Sequence, residues 1–238
     1  PKPHGRIVVI VAILLIITAF GFAYVSVLPM LGDIKFPNIS IPSFGTPRDT
    51  SAPLATNEPA TPLAPSLIPA QSEKRFNVMT QTREQITAEI ATEINRETTS
   101  GSIRNLYFEG PITTESTAIP IKHLLNFMKV SAPEILTRSL EKSFMTGFWG
   151  EENLNSTPFI ILKVSDYDTG LAGMLEWEET FSRSFYTLFG MNSGVNMPTT
   201  KFRDIIVLGR DARFLDIPQS NALAYAFANQ NTIVIAGS

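Results

Sequence analysis

The chain has 238 residues, a formal net charge of −3 and no cysteine. A slightly acidic chain lacks the excess of positive charge that binds nucleic acid, so we expect no nucleic-acid partner. The absence of cysteine excludes disulfide bonds, thiolate catalysis and cysteine-ligated metal sites.

Residues 7–28, from Ile7 to Leu28, form a run without a single charged side chain. A helix of that length is about 33 Å long, which is enough to cross a hydrocarbon core of about 30 Å. Lys2 and Arg6 precede the run, whereas the charges that follow it cancel. Because Lys and Arg accumulate on the cytoplasmic side of a membrane, this pattern predicts a cytoplasmic N-terminus.

We therefore predict that residues 1–6 are cytoplasmic, that 7–28 are a retained signal-anchor in the lipid bilayer, and that the rest is extracytoplasmic. A cleaved signal peptide is disfavoured because its apolar region has roughly 7–15 residues and a small-x-small cleavage site, which is missing here. A buried core helix is a further alternative, since the run is apolar on all sides. We also expect additional residues beyond both ends of the chain.

Residues 29–72 are predicted to be an extended linker, because nine of the chain's 17 prolines lie there. Proline fixes φ and lacks a backbone N–H, so this density disfavours helices and central strands. The linker would act as a stalk that holds a domain away from the membrane. Its early part, residues 34–42, is more apolar than the rest, and we expect it to lie on the domain or on a partner.

Residues 73–238 are predicted to fold as one α+β domain with a mixed or antiparallel sheet and about three main helices, packed mainly on one face. The first elements resemble a strand–helix–strand unit. The pattern predicts strands at 75–80 and 103–108, and a helix that begins after Thr82, with Gln85 completing a capping box.

The other elements follow from hydrophobic periodicity and turn residues. The strongest helix is predicted at 168–189, with Asp166 among its candidate caps, Leu171 and Leu175 in its apolar stripe, and Gly170 and Gly173 allowing close approach to a sheet. Shorter helices are predicted at 121–130 and 134–140. Paired strands are predicted at 143–149 with 158–164, at 204–208 with 212–217, and at 222–228 with 232–236.

Three segments carry a resemblance to known proteins. Ser139-Leu140, PFIILKV at 158–164 and GLAGMLEWE at 170–178 resemble a group of single-span, membrane-anchored envelope proteins of small-genome candidate-phylum bacteria. The run AGMLEWE is the most specific of them, and the similarity covers residues 75–238 together with the anchor and spacer. The resemblance implies an envelope protein with a further helix after the last strand, and it transfers no catalytic residue.

Few residues of the domain suggest chemistry. His123 is its only histidine, which excludes a zinc site built on two histidines of one chain, and we expect it on a polar helix face. No Gly-x-Ser-x-Gly elbow and no Gly-rich phosphate loop is present. Glu151-Glu152, and Asp166 with Asp168, lack the dense oxygen ligands of a calcium loop. We therefore predict no catalytic, metal or cofactor-binding residue.

Glu176, Glu178 and Glu179 surround Trp177, a combination that also suits sugar-cleaving enzymes. Helical spacing places Glu176 and Glu179 on one face and Glu178 elsewhere, which favours a solvated surface instead. The aromatic residues recur at strand or helix spacing, which predicts core packing rather than a sugar-binding or partner-binding surface. They are Phe144, Phe148, Trp149, Phe181, Phe185, Tyr186 and Phe189.

These features together predict a membrane-anchored cell-envelope protein whose exported domain binds another protein or a cell-wall polymer, with no catalysis evident. One alternative is a subunit of a surface filament, secretion or division apparatus. A second alternative is a carboxylate-based cell-wall enzyme, which would require two carboxylates to converge in a cleft.

Overall fold

The computed structural model describes residues 63–111, 118–151, 156–190, 201–207, 209–217 and 221–237. The predicted cytoplasmic residues 1–6, the predicted signal-anchor at 7–28 and the predicted linker up to residue 62 lie outside this part of the chain. Within the described residues, no helix is both long enough and apolar enough to cross a bilayer.

Eight strands and four helices make up the described part of the chain. In chain order they are β1 (Ser72–Asn77), α1 (Arg83–Ile94), β2 (Ile103–Glu109), α2 (Ile121–Phe127), α3 (Glu134–Ser139), β3 (Leu140–Gly150), β4 (Ser156–Val164), α4 (Tyr167–Leu188), β5 (Arg203–Val207), β6 (Arg210–Ile217), β7 (Asn221–Asn229) and β8 (Thr232–Gly237).

The eight strands form one sheet in the order β1-β2-β3-β4-β8-β7-β6-β5. Strands β1 and β2 are parallel and are connected through α1, whereas all other neighbouring pairs are antiparallel. The predicted α+β class with a mixed sheet is thus confirmed. The pairing of β4 with β8 joins the two halves of the sheet and places both strands at its centre.

Local hydrogen bonds explain where β1 ends and α1 begins. The Thr82 side chain accepts from the Gln85 backbone N–H at 3.2 Å, and the Gln85 side chain accepts from the Thr82 N–H at 2.8 Å. This is the predicted capping box. Strand β1 lies three residues earlier than predicted, because the Asn77 side chain accepts from the N–H groups of Met79 and Thr80 and turns the chain there.

Helix α2 is shorter than predicted and ends at Phe127. Lys129 has a φ of 55°, in the left-handed region, and the Val130 N–H donates to the Leu125 carbonyl at 2.8 Å. This closure is typical of a helix that ends in a Schellman motif. The apolar residues after Phe127 therefore belong to the closing turn rather than to a further helical turn.

One face of the sheet, which we call the first face, carries the helices. Its buried cluster combines strand residues with Ile86 of α1, Leu124 of α2, Leu136 of α3 and Phe181 of α4. The aromatic rings of Trp177, Phe185, Phe202 and Tyr225 surround the ring of Phe181 at centroid distances of 4.8–6.2 Å. The helices lie on one side of the sheet, as predicted.

The opposite face, which we call the second face, is also apolar and buried. Its cluster comprises Ile68, Ile103, Met145, Trp149, Phe159, Ile161, Val207, Ala212, Phe214, Ala222, Ala224, Ala226, Val234 and Ala236. No residue of the four described helices belongs to it. Strand β4 is buried on both faces, which explains why its sequence is a continuous apolar run rather than an alternating one.

Residues 63–71, the end of the predicted linker, lie against the second face. Ile68 is 7% exposed, and Leu67 and Ala70 pack on the same cluster. The Gln71 N–H donates to the Ile103 carbonyl at 2.9 Å, and the Gln71 side chain accepts from the Ile103 N–H at 2.6 Å. This part of the chain is therefore packed on the domain rather than extended away from it.

Candidate binding groove

Helix α4 is the longest described element and forms one wall of the candidate site. Asp166 caps it by accepting from the Thr169 N–H at 2.8 Å, as predicted. The helix therefore begins directly after β4 and lies on the first face. Tyr167, Leu171 and Leu175, in its first three turns, lie beside residues of β6 and β7.

Two glycines let α4 approach its neighbours closely. A Cβ added at Gly170 would lie 3.2 Å from the Val164 side chain of β4, in agreement with the predicted approach to a sheet. A Cβ added at Gly173 would lie 2.6 Å from the backbone nitrogen of Leu136 in α3. Gly173 therefore serves contact between two helices, and the prediction that it faces the sheet is wrong.

An open groove of about 760 Å³ lies between α4 and the strands β6 and β7. The α4 wall presents Tyr167, Leu171 and Leu175, spaced four residues apart on one helix face. Phe227 of β7 faces Tyr167 in an edge-to-face contact with ring centroids 4.6 Å apart. Leu175 was predicted to lie in the apolar stripe that faces the core, but it is 44% exposed and lines the groove instead.

The floor of the groove is a row of polar residues across three strands. Asp204 of β5 is the register partner of Arg213 of β6, and Arg213 is the register partner of Tyr225 of β7. Glu178 reaches this row from α4. Its carboxylate accepts from the Arg213 Nε and Nη2 atoms, both at 2.8 Å, and from the Tyr225 hydroxyl at 2.8 Å.

This network, Glu178–Arg213–Tyr225–Asp204, holds the Arg213 guanidinium from two sides. Asp204 accepts from Nη1 at 2.7 Å and is largely exposed, whereas the side chains of Glu178 and Arg213 are 15% and 22% exposed. The hydrogen bonds that Arg213 donates to Glu178 raise the pKa of the Arg213 guanidinium. Burial, followed by the hydrogen bond to Glu178, raises the pKa of the Tyr225 hydroxyl. Both groups therefore keep their protons at neutral pH.

The geometry separates the three glutamates that the sequence brings together. Glu176 and Glu179 are exposed, whereas Glu178 is partly buried and its carboxylate binds Arg213. Both carboxylate oxygens of Glu178 are already bound by Arg213, and one also by Tyr225. A carboxylate bound in this way links α4 to the sheet. A general acid or base would instead need a carboxylate oxygen that can exchange a proton with a substrate.

Trp177 does not border this groove. It is 2% exposed, and its Nε1 donates to the Ser131 carbonyl at 2.9 Å. The predicted core role also holds for Phe148, Phe181, Phe185 and Phe189, which are at most 1% exposed. The indole ring therefore offers no platform for a sugar.

The remaining candidate groups of the sequence are scattered. His123 lies exposed on α2, as predicted, and Asp168 is exposed near the start of α4. Glu151 accepts a hydrogen bond from the Thr157 hydroxyl, while Glu152 is outside the described residues. Among the described residues, no group of three or more His, Asp or Glu side chains is arranged to hold a metal ion.

Comparisons of the chain with protein-family models, with curated proteins and with solved structures gave no significant match. The resemblance to single-span envelope proteins therefore stays a prediction, as do the signal-anchor and the extracytoplasmic location. An inference about function has to rest on the groove and on the surfaces around it.

Proposed function

We propose that the chain is a single-pass, membrane-anchored cell-envelope protein whose domain is a protein-binding module, with the groove beside α4 as its binding site. One observation carries the proposal: large apolar side chains remain exposed there, Tyr167 at 39% and Leu175 at 44%. Apolar side chains that stay exposed along a groove are typical of surfaces that bind another molecule.

The chemistry of the groove favours a protein segment over a cell-wall polymer. Two of the three α4 side chains in the wall, Leu171 and Leu175, are aliphatic, and they match the apolar side chains of a peptide. The aromatic ring of Tyr167 packs against the edge or face of Phe227, so it is not a free flat platform for a sugar ring. The expected partner is thus an extended protein segment with apolar side chains.

The polar floor supports binding by keeping the groove in one shape. Arg213 is tied to Glu178 on α4 and to Asp204 on β5, so the helix wall and the sheet wall are joined beneath the apolar side chains. A preformed site loses less conformational entropy when its partner binds. This rigidity suits a recognition site and requires no catalysis.

A site-specific crosslinking experiment tests the proposal, because the chain has no cysteine of its own. The variant Leu175→Cys, in the full chain in native membranes, carries a thiol-attached photo-crosslinker into the groove. We expect a discrete adduct with one partner protein, and we expect Leu171→Asp in the same chain to abolish it, since a charge in the apolar wall opposes binding.

Met79→Cys is the matched control, because Met79 is a 64% exposed apolar residue away from the groove. The same adduct from both positions, or no adduct from Leu175→Cys, would contradict the proposed site. Labelling of Ser143→Cys by a membrane-impermeant maleimide on spheroplasts tests the topology in parallel. No labelling before lysis would contradict an extracytoplasmic domain.

A second candidate function, a subunit of an envelope assembly, is favoured by the edge strand β5. Among the described strands β5 pairs with β6 alone, and its Ile206 is 76% exposed. An exposed edge can add a strand from a neighbouring chain. Spontaneous covalent dimers of Ile206→Cys in membranes would support this function, and their absence would disfavour it.

A further inference from the structure

A small cleft opens in the sheet where β2 and β3 separate. The two strands are paired from Ile103 with Trp149 to Leu106 with Thr146. Beyond that point β2 continues along β1 as far as Glu109, whereas β3 is no longer paired with it. The cleft has a volume of about 230 Å³ and is lined by residues of both strands.

Contacts on either side of the cleft explain why β3 does not close it. The Ile119 N–H donates to the Phe108 carbonyl at 3.0 Å, so the residues that precede α2 occupy the place beside β2 that β3 has left. The pairing of β3 with β4 is irregular between Leu140 and Phe144. An irregularity of this kind bends a strand, and here it accompanies the departure of β3 from β2.

The segment before β1 forms one wall of the cleft. Residues 65–67 line the cleft, and the Ala64 N–H beside them donates to the Glu73 carboxylate at 2.7 Å. The Ser66 hydroxyl donates to the Ile68 carbonyl at 2.7 Å. These hydrogen bonds fix the wall in the absence of a ligand, so binding would require little further ordering of the chain.

Asn105 is the residue that points to a ligand. It is 3% exposed, it lines the cleft, and it lies on the second face, as Ile103 does two residues before it. Within the described part of the chain, no hydrogen bond reaches its side-chain carboxamide. A carboxamide has two donor hydrogens and one acceptor oxygen, and burying them without partners costs free energy. The cleft is the space from which a partner can reach them.

The rest of the lining is largely apolar, and the space is small. An apolar cavity of about 150 Å³ accommodates benzene, and this cleft is about half as large again. A matching ligand therefore has one apolar group and one polar group that pairs with the carboxamide. The apolar side chains of the lining are Leu67, Tyr107, Phe108, Ile119, Phe144 and Met145.

We propose that this cleft binds a single apolar amino-acid residue in amide form, with the Asn105 carboxamide paired to the amide of the ligand. One amide matches both the donor and the acceptor of another. The side chain of the bound residue lies among the apolar groups of the lining. This chemistry is shared by a residue within a peptide and by a free N-acyl amino acid.

A nucleobase fits the cleft less well. Adenine also pairs with an asparagine carboxamide through one donor and one acceptor. A flat base would require a free aromatic surface for stacking, and the Arg75 guanidinium already lies over the Tyr107 ring, 5.7 Å from its centroid. The aliphatic side chains of Leu67, Ile119 and Met145 in the lining favour an aliphatic ligand.

The cleft is separate from the groove beside α4. Strands β2 and β3 lie toward one end of the strand order, and β6 and β7 lie toward the other. No described residue lines both sites. A failure of the cleft to bind its ligand would therefore leave the proposed function of the groove intact, and the reverse also holds.

Protection of an introduced cysteine tests the proposal in the full chain in membrane vesicles. Ser143→Cys places a thiol at an exposed position of the cleft lining, and its rate of reaction with N-ethylmaleimide is measured. We expect N-acetyl-L-leucinamide to slow this reaction, with half-protection at roughly millimolar concentration because the probe is small. Met79→Cys, which is exposed and outside the cleft, should react at an unchanged rate.

Asn105→Leu tests the recognising group itself. We expect it to raise the concentration for half-protection by about fivefold to tenfold, because leucine has a similar size but forms no side-chain hydrogen bond. The free energy of unfolding in urea should not fall, since the carboxamide has no partner among the described residues. N-acetylglycinamide, which lacks the apolar side chain, should protect at least about tenfold more weakly.

A longer peptide distinguishes the two sources of the ligand. A blocked peptide with leucine at its centre should protect at a lower concentration than N-acetyl-L-leucinamide if the cleft takes a residue of a chain. It should fail to protect if the cleft takes a free N-acyl amino acid. No protection by any probe, equal protection of Met79→Cys, unchanged protection in Asn105→Leu, or stronger protection by adenosine would each overturn the proposal.

Discussion

The two faces of the sheet come from the same strands but differ in what they carry. The first face holds four described helices and most of the large aromatic side chains, whereas the second face contains five alanines and three aromatic residues. Large rings fill the uneven space beneath helices, and smaller side chains leave a flatter surface. The two faces therefore differ in the shape of the buried surface that their strands present.

The charged network of the groove lies on the first face. The helices bring Glu178 and Tyr186 to the first face, and the groove with its charged floor lies there. The second face also holds buried polar side chains, Asn105, Thr157 and Thr232, which alternate with its apolar residues along β2, β4 and β8. In the function proposed above, the partner binds on the helix-covered side of the sheet. Each face also holds one of the two tryptophans, Trp177 on the first and Trp149 on the second, so fluorescence can report on both.

The largest expected effect compares one buried phenylalanine from each face. Phe181 on the first face and Phe159 on the second are both 0% exposed. We expect Phe181→Ala to lower the free energy of unfolding by about 3–5 kcal/mol, because the lost ring leaves a cavity. Phe159→Ala should cost a similar amount, measured by urea denaturation of the full chain. A much smaller loss for Phe159→Ala would show that the second face is not tightly covered.

A smaller effect comes from the helix packing that is special to the first face. We expect Gly173→Ala to lower the free energy of unfolding by about 1–3 kcal/mol, because the new methyl group would meet the backbone of Leu136. Gly170→Ala is the control, since its methyl would meet the Val164 side chain at 3.2–3.4 Å. There the gain of about 1 kcal/mol in helix propensity offsets the contact. Equal losses for both variants in thermal melts would contradict this assignment.

The smallest effect concerns two tyrosines of the first face. Tyr225→Phe should lower the free energy of unfolding by about 1–2 kcal/mol, since it removes the hydrogen bond to Glu178. Tyr186 is buried, and its hydroxyl has no hydrogen-bond partner among the described residues. Tyr186→Phe should therefore cause no loss or a small gain, because it removes an unsatisfied polar group. A loss for Tyr186→Phe equal to that for Tyr225→Phe would contradict this difference.

Tyr186 also predicts that the free energy of unfolding falls at alkaline pH. Burial raises the pKa of Tyr186 from 10.0 to about 12, so the folded chain keeps a proton that the unfolded chain releases. This contribution to stability is complete below about pH 10 and is lost as the pH rises toward about 12. Denaturation at increasing pH should show a shallower decline for Tyr186→Phe than for the unchanged chain. Parallel declines would exclude a raised pKa at Tyr186.

The sequence determined the local elements, because their signals act over a few residues. The Thr82 capping box, the Asp166 cap and the hairpins near the C-terminus were each predicted from neighbouring side chains, and the structure confirms them. The shifts at β1 and α2 came from Asn77 and Lys129, whose turn geometry a hydrophobic pattern does not report.

The residues of the candidate site are brought together only by the tertiary structure. Asp204, Arg213 and Tyr225 become neighbours through strand register, and Glu178 reaches them because α4 folds back over β6 and β7. None of these relations is visible in spacing along the chain, since register and helix docking depend on the pairing of distant strands. For the same reason, only the fold shows that the alternating apolar positions of the strands form two separate buried clusters, one on each face of the sheet.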